Sequence, residues 1–109
     1  MHTTYKVSFT IEADNNIEDI FTYIYKHSLS YTTANNFITA LYRNITETLG
    51  YMPRKFPLYS GKIRVFPYSK NRNYLIFYEI IEDLPEVRVI KIVNAKNYSS
   101  YHTFIDYLN

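Results

Sequence analysis

In the run Tyr74-Leu75-Ile76-Phe77-Tyr78-Glu79-Ile80-Ile81 both alternating sets of side chains are apolar, with Glu79 the lone exception. A strand made of these residues has no face to give to water, so it belongs in the middle of a sheet with both sides covered. Aromatic and β-branched side chains suit the pleated backbone of such a strand, expected over Tyr74 to Glu82. Asn71-Arg72-Asn73 supplies a hairpin turn before it, and Asp83-Leu84-Pro85-Glu86 a turn after it. Ile63-Arg64-Val65-Phe66 and Val87 to Asn94 then become its neighbours in a three-stranded antiparallel meander.

The first half of the chain must provide a cover for that meander. Tyr5-Lys6-Val7-Ser8-Phe9-Thr10-Ile11 alternates large apolar with polar residues and reads as a first strand. Asn15 and Glu18 stand at capping-box spacing, which predicts a helix from about Asn15. Ile17, Ile20, Phe21 and Ile24 form its apolar stripe, and Glu18, Asp19, Thr22 and Lys26 its wet face. After the break at Lys26 to Ser30, Ser30 or Thr32 caps a second helix with the stripe Ala34, Phe37, Ile38, Leu41, Ile45 and Leu49. Gly50 is the expected terminator. Pro53, Pro57 and Gly61 predict a loop over residues 51 to 61. Tyr101, Phe104, Ile105 and Leu108 recur at helical spacing in a short C-terminal helix over Tyr98 to Leu108. The expected class is therefore α+β: an N-terminal strand, a two-helix hairpin, the meander and the last helix, in one domain over residues 1 to 109. One helical hairpin covers one face of the sheet. The other face is left for the C-terminal stretch, a loop or another chain, and an open face there is the expected partner site.

With no cysteine, the chain has no disulfide framework, thiolate nucleophile or cysteine-built metal site, and a cytoplasmic location is expected. His2, His27 and His102 lack metal-ligand spacing, and two glycines cannot form a phosphate-cradling loop. No metal or cofactor is expected. Nor is there a helix-turn-helix signature or a basic helix for reading DNA. The charge is uneven. Residues 1 to 53 hold three Lys/Arg and five Asp/Glu, against nine and five in residues 54 to 109. No acid occurs between Glu47 and Glu79, where Arg54, Lys55, Lys62, Arg64, Lys70 and Arg72 all fall. Clustered in space, such cations attract a polyanion or an acidic protein segment; scattered, they are a solvated rim.

The order of strand, helical hairpin, proline-marked loop and meander resembles the RelE/ParE superfamily of bacterial toxins from type II toxin-antitoxin pairs. The likeness is carried by ADNNIEDIFTYI at residues 13 to 24, by Ser30 to Leu49 with its apolar stripe, by Pro53 and Arg64, and by YLIFYEIIEDLPEVRVIKIVNAKN from Tyr74. It implies a growth-inhibiting toxin of plasmid-stabilisation type, neutralised by the flexible segment of a cognate antitoxin and acting on DNA gyrase or on the ribosome with its messenger RNA. Arg54, Lys55, Lys62, Arg64, Arg72, Tyr74 and Tyr78 are the expected partner-binding residues.

In the RelE branch the resemblance implies messenger cleavage, which needs a base for the 2′-hydroxyl, cations for the phosphorane and an acid for the leaving oxygen. Here those parts would be Arg64, Arg72 and Lys96, with Tyr101 or His102 for proton transfer. A tyrosine titrating near about 10 needs neighbouring cations to act as a base, whereas histidine titrates near neutrality. Ribonuclease members carry a cluster of arginines or histidines after the last strand. This chain has Asn94-Ala95-Lys96-Asn97, with a single cation. The resemblance is accordingly closer to the ParE branch, which is implicated in gyrase inhibition and needs no acid-base set. A non-toxic interaction domain that retains the fold is the third reading.

Overall fold

The computed structural model describes residues 4 to 68 and 74 to 95. The chain runs β1 (Lys6–Phe9), α1 (Ile11–Ser28), α2 (Tyr31–Tyr51), β2 (Leu58–Ser60), β3 (Ile63–Pro67), β4 (Tyr74–Ile81) and β5 (Glu86–Asn94). The meander is present as β3, β4 and β5. The sheet is wider than expected, with five strands in the order β1-β5-β4-β3-β2. β1 lies parallel to β5, pairing Val7 with Val87 and Phe9 with Val89, and every other pairing is antiparallel. β2 sits inside the segment expected to be a loop, because Leu58 finds a ladder partner in Arg64 despite the flanking prolines. The turn at residues 71 to 73 and the C-terminal helix expected over Tyr98 to Leu108 lie outside the described residues.

α1 begins four residues before the predicted capping box. Thr10 is its cap: the hydroxyl accepts from the Ala13 amide at 3.1 Å and donates to the Ile90 carbonyl at 2.6 Å. The second bond explains the shift. Phe77 pairs with Lys91 and Tyr78 with Val89, so Ile90 is the extra residue of a β-bulge. Asn16, one turn into α1, accepts the Ile92 amide at 2.9 Å through Oδ1. The start of α1 thus supplies the bonds that the bulge denies to β5, a tertiary demand with no local signature around Asn15. The same turn leaves Ile11 exposed, although strand alternation had placed it on the buried face. Thr10→Ala is expected to cost about 1–2 kcal/mol, and Asn15→Ala less than about 0.5 kcal/mol, in denaturant unfolding.

The helical hairpin turns at Leu29, whose amide donates to the Tyr25 carbonyl at 2.8 Å, and Ser30 then caps α2 through the Thr33 amide at 3.1 Å. Leu41, Ile45 and Leu49 of α2 are fully buried with Ile20 of α1 against Ile76, Tyr78, Val87 and Val89 of the sheet. Each such side chain contributes about 1.5–3 kcal/mol through loss of apolar surface to water. Gly50 is not the terminator, for α2 continues through Tyr51. Its carbonyl accepts the Tyr5 amide at 2.7 Å, and a Cβ at this position would meet the Tyr5 carbonyl oxygen at 3.2 Å. Glycine lets the helix backbone approach the start of β1.

Candidate functional site

β4 is buried on both faces, as its composition requires. Tyr74, Ile76, Tyr78 and Ile80 face the helices, while Leu75 and Phe77 join Val65 and Ala95 in a second cluster on the outer face. That outer cluster is not an open apolar surface: Val65, Leu75 and Phe77 are at most 1% exposed. Tyr59 of β2 sets its ring edge-on to Phe77 with centroids 5.2 Å apart, and Lys91 places Nζ 5.2 Å from the Phe77 centroid. The face that the hairpin cannot cover is closed within the chain. The expectation of an uncovered apolar partner site is therefore corrected.

Tyr74 and Tyr78, two of the expected partner-binding residues, are buried. Tyr74 is 5% exposed with its ring against Phe37, and Tyr78 is fully buried beneath the loop that follows α2, where its hydroxyl donates to the Pro53 carbonyl at 2.6 Å. Burial raises the pKa of both phenols; at Tyr78 it outweighs the opposing pull of the Arg64 charge. Both stay protonated at neutral pH.

Residues 52 to 57 are strapped to the sheet by side chains that sequence reasoning assigned to partners. Arg64, beside Tyr78 in the β3-β4 register, donates through Nη1 to the Phe56 carbonyl at 2.6 Å. Arg54 donates to the Tyr5 hydroxyl at 2.8 Å and pairs with Glu82. Glu82 lies beyond the acid-free stretch, so Arg54 only looked uncompensated along the sequence. Lys55 and Lys62 are exposed, with Lys62 at the β2-β3 turn beside Gly61, whose φ is +57°. Arg72, Lys96, Tyr101 and His102 lie outside the described residues.

Three cations that sequence reasoning did not assign to a site share the outer face of the other half of the sheet. Val7 and Phe9 of β1 and Val87 and Val89 of β5 face the helices, so alternation puts Lys6 and Arg88 outward, and Lys91 lies over Phe77 on that side. Ser8 and Glu86 are tied there by a hydrogen bond of 2.6 Å, and Arg88 reaches Glu86 at 3.5 Å. The alternation was readable in each strand. The parallel pairing that places Lys6 beside β5, some eighty positions away, was not.

No protein-family model and no curated protein sequence matches the chain. Among solved structures it is similar to a chromosomal ParDE TA system from P. aeruginosa, with a TM-score of 0.68 at 10% identity over 85% of this chain and 98% of that one. It is also similar to the isolated E. coli RelE toxin, with a TM-score of 0.58 at 17% identity over 96% of this chain and 99% of that one. No helix among the described residues is long and apolar enough to cross a membrane. The helical hairpin packed on a sheet in which β1 runs parallel to β5 beside an antiparallel meander is thus the α+β fold of the RelE and ParE toxins.

Proposed function

We propose that this chain is the toxin of a bacterial type II toxin-antitoxin pair and that it acts in the cytoplasm by binding DNA gyrase, as a ParE-like inhibitor. The observation that carries binding over cleavage is the use made of Arg64. It is the one residue of the candidate ribonuclease set within the described residues, and its guanidinium is engaged in donating to the Phe56 carbonyl. The nearby phenol of Tyr78 is buried and held protonated, a poor general base.

The proposed antitoxin segment is acidic and lies across Lys6, Arg88 and Lys91, on a face they share with Glu86 and Glu79, reaching the exposed Lys55 and Lys62 at the sheet margin. Arg54 and Arg64 shape that margin through the loop they hold. Arg72, which lies outside the described residues, remains part of the proposed cationic set.

Expression of the chain alone is expected to arrest growth, and co-expression of the antitoxin to restore it. The purified protein is expected to slow gyrase supercoiling and to leave messenger RNA intact in a translating extract. Messenger cleavage with normal supercoiling would instead assign the RelE-like reaction to Arg64, Arg72 and Lys96 with Tyr101 or His102. Unchanged growth would leave a non-toxic interaction domain.

A further inference from the structure

We propose that the outer edge of β1 pairs with β1 of a second copy of this chain, antiparallel and centred on Ser8, so that the two sheets become one. β1 is a terminal strand of the sheet, and its only strand partner is β5. The Lys6 amide donates to the Pro85 carbonyl at 3.2 Å and the Thr10 amide to the Val89 carbonyl at 3.0 Å, so the backbone groups of Lys6, Ser8 and Thr10 point toward β5. Those of Val7 and Phe9 then point to the outer edge. The Tyr5 amide points the same way and is satisfied by the Gly50 carbonyl at 2.7 Å, where the end of α2 covers the edge. Val7 and Phe9 lack such a cover: among the described residues neither backbone is bonded on that side. The opposite edge of the sheet is guarded, since β2 has three residues, a register shift between Leu58 and Ser60, and Pro57 just before it. β1 pairs regularly from Lys6 to Phe9, with neither bulge nor proline.

The edge is complementary to itself. With two copies of β1 antiparallel about Ser8, Val7 of each stands opposite Phe9 of the other, and every outward amide and carbonyl of both strands is bonded. Centring the pair on Val7 or on Phe9 would leave some of these groups unmatched. The side chains agree with this register. Val7 and Phe9 are half-buried on the helix side, so each completes the cover of the other. The rim is apolar: Ile11 is 81% exposed just beyond β1, and Tyr42, stacked on Phe9 with centroids 4.8 Å apart, is 46% exposed along a groove of about 440 Å³. On the other face Lys6 stands across from Thr10 of the second copy, with the exposed Glu12 close behind it. Each Lys6 thus meets an acid, and no like charges stand opposite one another. So short a contact makes a weak interface, expected to dissociate at about 10–100 μM. The inference concerns the edge of the sheet and does not rest on the toxin reading.

The test is sedimentation velocity of the full chain from about 5 μM to about 1 mM, a range that brackets a weak interface, joined to NMR of a sample mixing isotope-labelled and unlabelled chain. A monomer-dimer equilibrium is expected, with concentration-dependent amide shifts at Val7 and Phe9. The Ser8 α-protons of the two copies are expected to show an intermolecular contact, since they come close only in this register. Val7→Pro removes an outward amide without touching the bonds to β5, as prolines do on edge strands, and is expected to leave the chain monomeric. Glu12→Lys, at an exposed position that spares the fold, is expected to weaken the dimer about fivefold or more, because the two-fold axis repeats the lost pair. Adding Lys6→Glu to that variant is expected to restore it. A chain that stays monomeric up to about 1 mM would overturn the proposal and leave the edge to a strand from another protein. A dimer without the Ser8 contact, or one undiminished by Glu12→Lys, would overturn it as well.

Discussion

Phe77→Ala is expected to destabilise the chain by about 3–5 kcal/mol, the range for truncating a fully buried aromatic side chain. Phe77 is 1% exposed, and its ring is enclosed by Tyr59 at its edge, Lys91 over its face and the second cluster with Val65 and Leu75. Truncation removes that apolar contact and leaves a void that the flanking ladder on β3 and β5 cannot close, because Val65 and Lys91 are pinned opposite it by register. Urea unfolding of the purified chain measures the effect. An open partner-docking face predicts a different result: a near-neutral change in stability and a large loss of antitoxin affinity. A change below about 1 kcal/mol, the ordinary size for an exposed site, would return this face to the partner.

The second large effect is at Arg64. Arg64→Ala is expected to cost about 1.5–3 kcal/mol, because it removes a charged donor from the Phe56 carbonyl. The loss is also local. The Val65 amide bonds to the Pro57 carbonyl at 3.2 Å, so hydrogen exchange at Val65 is expected to speed up as residues 52 to 57 come loose. Arg64→Lys should recover only part of the stability, since one ammonium does not reproduce the reach and planar donors of guanidinium. A residue kept for partner or substrate contact would behave otherwise. It would lose binding or cleavage with stability and Val65 exchange unchanged.

These two positions also separate what was readable from what was not. Phe77 was assigned to a strand covered on both faces from its neighbours alone, because period-2 patterning depends only on adjacent residues. What covers it was left open among the C-terminal stretch, a loop and another chain. The edge contact from Tyr59 requires β2, a three-residue strand whose sequence is dominated by flanking turn signals and whose pairing exists only in the folded sheet. Arg64 was recognised as a notable cation, but its partner is a backbone carbonyl, which every residue carries and no pattern marks.

By itself the sequence determined the α+β class, the two helical stripes, a cap for α2 at Ser30 or Thr32, and the central position of β4. All are local properties, set by side-chain spacing along one element. Tertiary structure alone decided that Thr10 rather than Asn15 starts α1, that Gly50 serves a close approach, and that Arg54 is matched by Glu82. It also turned Tyr74 and Tyr78 into the core and gathered Lys6, Arg88 and Lys91 on one face. Each depends on groups far apart along the chain, whose pairing follows from sheet order, the Ile90 bulge and the burial of both faces of β4.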